Sequence, residues 1–134
     1  MPRDKVDVAK RSVDLYNRRD IDAFFAECAT ADLEWWPALT RAYGGGCYRG
    51  REGVERFLLD TWENWEELQW VAEAYRDLGD CVLMEGRLSA RGKGPALRST
   101  RQQWNLLDFR GSRFWRSRVY IDRAEAFRAA GVSE

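Results

Sequence analysis

The sequence predicts an α+β fold, with helices packed on one face of a curved, mostly antiparallel sheet. Three observations predict it. Apolar residues of the first half recur mainly at helical spacing, and those of the second half follow the period of strands. The second-half runs are joined by short turn-like segments, which implies an antiparallel meander. The chain is 45% apolar and 13% aromatic, enough for a packed core in 134 residues. That length suits one domain, taken as residues 1–134.

Residues 5–19 read as an amphipathic helix, with Val6, Ala9, Val13 and Tyr16 on one stripe. Asp20 is placed to cap a second short helix that carries Ile21, Phe24, Phe25 and Cys28. Residues 32–37 read as a short strand ended by Pro37. A loop follows at 40–50, with glycines at 44, 45 and 46; it lacks the spacing of a phosphate-binding loop. Residues 51–66 form the clearest helix, with Val54, Phe57, Leu58, Thr61, Trp62 and Trp65 on one side. Strands are expected at 68–76, 81–90, 97–109 and 113–121, with turns at 77–80, 91–95 and 110–112. A last helix spans 123–130. Asp122 and Glu125 form its capping signature, and Gly131 is its stop.

Charge and residue usage exclude several functions. Lys plus Arg (22) balance Asp plus Glu (22), so no broad field attracts nucleic acid. Arg110, Arg113, Arg116 and Arg118 form only a local cluster on a strand. No apolar run approaches the ~20 residues of a membrane span. The N-terminal residues have charges but no secretory apolar stretch. The three cysteines, Cys28, Cys47 and Cys81, lack disulfide-framework spacing and suit a reducing cytoplasm. Histidine is absent, which removes Ser–His and Cys–His nucleophile pairs and His-based metal sites. No metal and no cofactor are expected. An acid or base has to come from Asp, Glu, Tyr, Lys, Cys or water.

Several strings resemble the SnoaL-like and ketosteroid-isomerase-like members of the nuclear transport factor 2 superfamily. They are Tyr48-Arg49-Gly50-Arg51-Glu52-Gly53-Val54, Arg19-Asp20-Ile21-Asp22-Ala23, and Asp122-Arg123-Ala124-Glu125-Ala126 through Gly131. The resemblance covers about residues 5–131. It implies a cone-shaped α+β barrel: three N-terminal helices on the curved sheet, a short C-terminal helix, and an apolar cavity at the wide end. It also implies a homodimer formed through the sheet. The isomerase residues do not carry over. The family's base, before the proline of the short strand, falls on Trp36; its first-helix tyrosine falls on Ser12; its second acid falls near Gln103. Tryptophan cannot accept a proton, so steroid isomerisation is not expected.

Other acids remain as candidates. Glu34 reads either as a partly buried base or as a solvated strand residue. Asp122 reads either as an acid or as the helix cap. Glu85 and Arg87 can pair across a pocket or face water. Of the seven tryptophans, most read as core or interface. The sharper reading puts Tyr16, Trp36, Tyr48 and Trp62 on the wall of a cavity for a flat hydrophobic ligand, with Gln103 or Asn105 orienting it. Strand alternation leaves open whether Arg101, Gln103 and Asn105 face the cavity, or Trp104 and Leu106. Cys47 beside the glycines reads as an exposed thiol, and the loop as a cover over the pocket. The function expected is an isomerase, cyclase or hydratase acting on a small hydrophobic molecule. The alternatives are a non-catalytic binding domain and a dimeric interaction domain.

Overall fold

The computed structural model describes residues 4–38, 46–92 and 98–133. Most of the glycine loop and part of the turn at 91–95 lie outside the described residues. Among those described, the order is α1 (Lys5–Asn17), α2 (Ile21–Glu27), β1 (Ala29–Trp36), β2 (Tyr48–Arg49), α3 (Gly50–Glu63), β3 (Glu67–Asp77), β4 (Cys81–Arg91), β5 (Arg98–Arg110), β6 (Arg113–Tyr120) and α4 (Arg123–Ala130).

Local chemistry accounts for the helix starts. The side chain of Asp4 accepts from the Val6 amide at 2.8 Å, Asp20 from Ala23 at 3.1 Å, and Asp122 from Ala124 at 3.0 Å. Each satisfies an amide that the first helical turn leaves unpaired. Helix α3 has no side-chain cap. Gly50, at φ +72°, turns the chain from β2 into it. That helix ends at Glu63, three residues before the sequence-based boundary. The Glu66 amide instead donates to the Arg91 carbonyl, beside the edge of the sheet.

The six strands make one open sheet in the order β2-β1-β6-β5-β4-β3. Strands β3 to β6 form the expected antiparallel meander. β1 joins it parallel to β6, with Trp35 opposite Ser117, and its other edge holds the two-residue β2. The cone is therefore a curved sheet that does not close on itself. Its sharpest approach is at Gly86. A Cβ there would collide with the Val71 carbonyl oxygen and come within 2.8 Å of the Ala72 Cα. A bulge between Ala72 and Ala74 lies opposite. Glycine and bulge together let β3 fold across β4.

The outer edge of β3 is pinned by α1. Asn17 donates to the Trp70 carbonyl and accepts from the Trp70 amide, both at 2.8 Å. One amide side chain thus satisfies both backbone groups of an edge residue, as a neighbouring strand would.

Two apolar clusters lie on the two faces. The larger fills the cone between α1, α2, α3 and the sheet, with Leu15, Phe24, Leu33, Leu58, Phe109 and Phe114 at its centre. The smaller lies on the outer face. There Leu83, Trp104, Leu106 and Tyr120 pack under Ala126 and Phe127 of α4. The last helix thus covers the face opposite the other three. The sequence leads one to expect Trp70, Trp104 or Trp115 on the outer face of the sheet as an exposed patch, and the placement corrects this. Trp70 is buried in the inner cluster, Trp104 is buried beneath α4, and the Trp115 ring meets the guanidinium groups of Arg110 and Arg116 at 4.8 and 4.7 Å. They do not form a bare aromatic patch on the sheet.

Candidate functional site

Pairing decides which residues face the cone. On β5, Arg101, Gln103, Asn105 and Leu107 point inward, and Trp104 and Leu106 point outward beneath α4. On β1, Leu33 and Trp35 point inward. The inward set encloses two adjoining spaces that share Tyr16, Trp35, Leu88 and Gln103. The wider, of about 390 Å³, opens past Phe57, Trp65 and Arg101. The narrower inner end holds about 40 Å³ between Trp70, Asn105, Phe114 and Ser117. Among the described residues, neither space is lined by Asp or Glu.

A directional polar strip runs along β5. Arg101 donates to the Gln103 side-chain oxygen from Nε at 3.3 Å and from Nη2 at 3.1 Å. Gln103 Nε2 then donates to Asn105 Oδ1 at 3.2 Å. A guanidinium can only donate, so it orients the first amide and, through it, the second. Asn105 is left with its amide N–H groups to offer. Near that end, Trp70 Nε1 and Ser117 Oγ are buried with no partner among the described residues. The strip therefore presents donors to whatever occupies the cone.

Tyr16 forms the opposite wall, stacked on Trp35 at 6.3 Å and set edge-on to Trp62 at 5.6 Å. Burial pushes its pKa up to about 12, against smaller opposing effects of Trp62, Arg19 and Arg101. At neutral pH the phenol is protonated and can donate. Burial also lowers the pKa of Arg101, with Tyr16 opposing.

The other sequence candidates lie elsewhere. Glu34 and Trp36 are on the face of β1 opposite Trp35. Glu34 accepts from Trp36 Nε1 at 3.1 Å and from Arg49 at 3.0 Å, so its carboxylate is engaged away from the cone. Tyr48 is exposed, its ring tilted against Phe57 at 4.5 Å, and it lines neither space. Trp62 is buried behind Tyr16 rather than on the wall. Asp122 caps α4, and Glu85 faces outward toward Gln102 and Arg123. Arg87 is exposed and pairs with Glu73. Burial raises the Cys47 pKa, the reverse of an activated thiol. The structure thus gathers Tyr16, Gln103 and Asn105 in one cavity and separates them from Glu34, Trp36, Tyr48, Trp62 and Asp122. Trp35, Trp70, Arg101 and Ser117 complete the wall. Their signal in the sequence is the period-two alternation about Gln103 and the choice of Trp35 over Trp36.

A separate polar groove of about 680 Å³ lies between the end of α1 and the ends of β3, β4 and β5. Arg91 within it is paired with Glu66 and Glu67. Among the described residues, no group of three or more Asp, Glu, Cys or His is placed to hold a metal, and no helix is long and apolar enough to cross a membrane.

The family model of the SnoaL-like domain matches residues 9–118. No curated protein matches the chain. Among solved structures, TerC co-crystallised with polyporic acid superposes with a TM-score of 0.74 at 18% identity, covering 95% of this chain and 98% of that one. A putative SnoaL-like polyketide cyclase from Jannaschia has a TM-score of 0.74 at 18% identity, with 97% and 93% covered. A nuclear-transport-factor-2-like protein from Burkholderia xenovorans has a TM-score of 0.70 at 22% identity, with 97% and 98% covered. At these identities the likeness is one of fold.

Proposed function

This chain belongs to the SnoaL-like domain family, and we propose that its cone binds a small, planar, largely apolar molecule without carboxylate acid–base catalysis. The observation that carries the reading is the wall: aromatic and aliphatic side chains, a strip of donors, and no Asp or Glu among the described residues. Apolar walls supply affinity, and a few fixed polar groups supply orientation. Tyr16 and Asn105 can donate to a ligand oxygen from two sides. TerC, which shares the fold, was co-crystallised with polyporic acid, and this supports a small organic ligand for this fold.

A second reading keeps an isomerase or cyclase role. Its support is the protonated Tyr16 phenol, which can stabilise charge developing on a substrate oxygen. A substrate would then have to bring its own proton acceptor, since Glu34 is turned away. Two further parts complete the proposal. Copies associate through the stretch of outer sheet that α4 leaves uncovered, where Val71 is 44% exposed. Cys28, Cys47 and Cys81 are not joined in disulfides, which supports a reducing, cytoplasmic setting.

The test uses the fluorescence of Trp35 and Trp70, both in the wall. Titration with 2-acetonaphthone, a neutral flat ketone, is expected to quench saturably. Leu88→Trp, which fills the shared part of the cavity, should weaken that binding about tenfold or more. No saturable quenching by wild type, or quenching that Leu88→Trp leaves unchanged, would remove the cone as the binding site.

A further inference from the structure

We propose that Arg101 is a specificity-determining residue, selecting ligands that carry an ionised oxygen (carboxylate, enolate or phenolate) on the apolar body. The proposal rests on the reading of the cone as a small-molecule pocket and adds the charge of its occupant.

Five described arginines are partly buried: Arg11, Arg91, Arg101, Arg116 and Arg118. Four of them have a carboxylate within ion-pair distance. Arg11 pairs with Glu27 at 3.2 Å and Arg91 with Glu67 at 2.9 Å; Arg116 and Arg118 share Asp108 at 2.8 and 3.2 Å. Arg101 differs. Its side-chain hydrogen bonds go to the neutral oxygen of Gln103, and no carboxylate pairs with it among the described residues. The undescribed segments 39–45 and 93–97 contain no Asp or Glu in their sequence.

Position adds to this. Arg101 stands opposite Leu88 on β4, and Leu88 opposite Trp70 on β3. The guanidinium therefore lies in the wall at the wide part of the cone, where most of its neighbours are apolar and the polar ones, such as Gln103, are neutral. A charge taken part-way out of water costs stability unless an opposite charge meets it. Elsewhere this fold meets that cost with an acid. Inside the cone the acid is missing, and the open space lies beside the charge. A ligand anion there gains a planar donor fork that matches two oxygens. Gln103 holds the fork by accepting from both Nε and Nη2, which leaves Nη1 and the remaining Nη2 hydrogen to the ligand.

The experiment compares two probes with one ring system: 2-naphthoate, which is anionic, and 2-acetonaphthone, which is neutral. Wild type is expected to bind naphthoate about tenfold tighter or better. Arg101→Met should abolish that preference by weakening naphthoate binding more than ketone binding, and Arg101→Lys should retain part of it. Circular dichroism checks that the variants fold, and the wild-type comparison stands without them. Equal affinity of wild type for both probes, or a preference that survives Arg101→Met, overturns the role of Arg101 and leaves the pocket reading standing. Failure of both probes to bind overturns the pocket reading and the role of Arg101 with it.

Discussion

Tyr16 shows how much a single side chain depends on its surroundings. On α1 it belongs to an ordinary apolar stripe; in the fold its ring closes a cavity and its hydroxyl is buried. The folded-state pKa of about 12 exceeds the ordinary value of 10. The protonated form is therefore favoured by folding. This contribution is complete below pH 10 and is lost as pH rises from 10 through 12. Two pH units correspond to at most about 2–3 kcal/mol. Urea unfolding at pH 9 and pH 11 should show a larger loss for wild type than for Tyr16→Phe, by about 1 kcal/mol, since half of the loss still lies above pH 11. Equal losses would mean that the phenol is not protected from ionisation. The same scale shows what a single residue of parity decides. Trp35 and Trp36 are adjacent and chemically alike, yet Trp35 faces Ser117 inside the cone while Trp36 binds Glu34 outside it. Local sequence gives both the same propensity. The pairing of β1 with β6 makes the choice, because successive strand residues point to opposite faces.

At the scale of elements, the helices and the meander were legible because their signals are local. Caps at Asp20 and Asp122, apolar spacing along α1 and α3, and turns after β3 and β5 each involve residues a few positions apart. The pieces that were not legible join distant parts of the chain. The parallel contact of β1 with β6, the two-residue β2, and the clamp of Asn17 on Trp70 are of this kind. Gly86 lies between the two groups. A glycine inside a strand pattern signals a close backbone approach, but which strand approaches is a tertiary fact. Gly86→Ala should cost about 2–4 kcal/mol, since the colliding atoms belong to the backbone of β3 and cannot rotate away. Denaturant midpoints measure this. A loss below about 0.5 kcal/mol would show that β3 does not need to cross β4 so closely.

At the scale of the whole molecule, the open sheet divides the chain into two environments. The concave face with α1, α2 and α3 encloses the cavity, and the convex face is only partly covered by α4. The proposed association of two copies belongs on that uncovered part. Sedimentation equilibrium at micromolar concentration should give a dimer, and Val71→Lys should shift it toward monomer by placing charge in the contact. A clean wild-type monomer would sink this part of the proposal.

The fold class, the helix starts, the meander and the absence of histidine chemistry were determined by the sequence alone. They follow from composition, period and near-neighbour hydrogen bonds, which need no knowledge of distant residues. Tertiary structure decided the face of each strand, the side of the sheet taken by α4, and the membership of the cavity. These depend on strand register, and a shift of one residue exchanges the two faces. That is why Glu34 is held outside by Arg49, and why Arg101, Gln103 and Asn105 line the cone while Trp104 lies beneath α4.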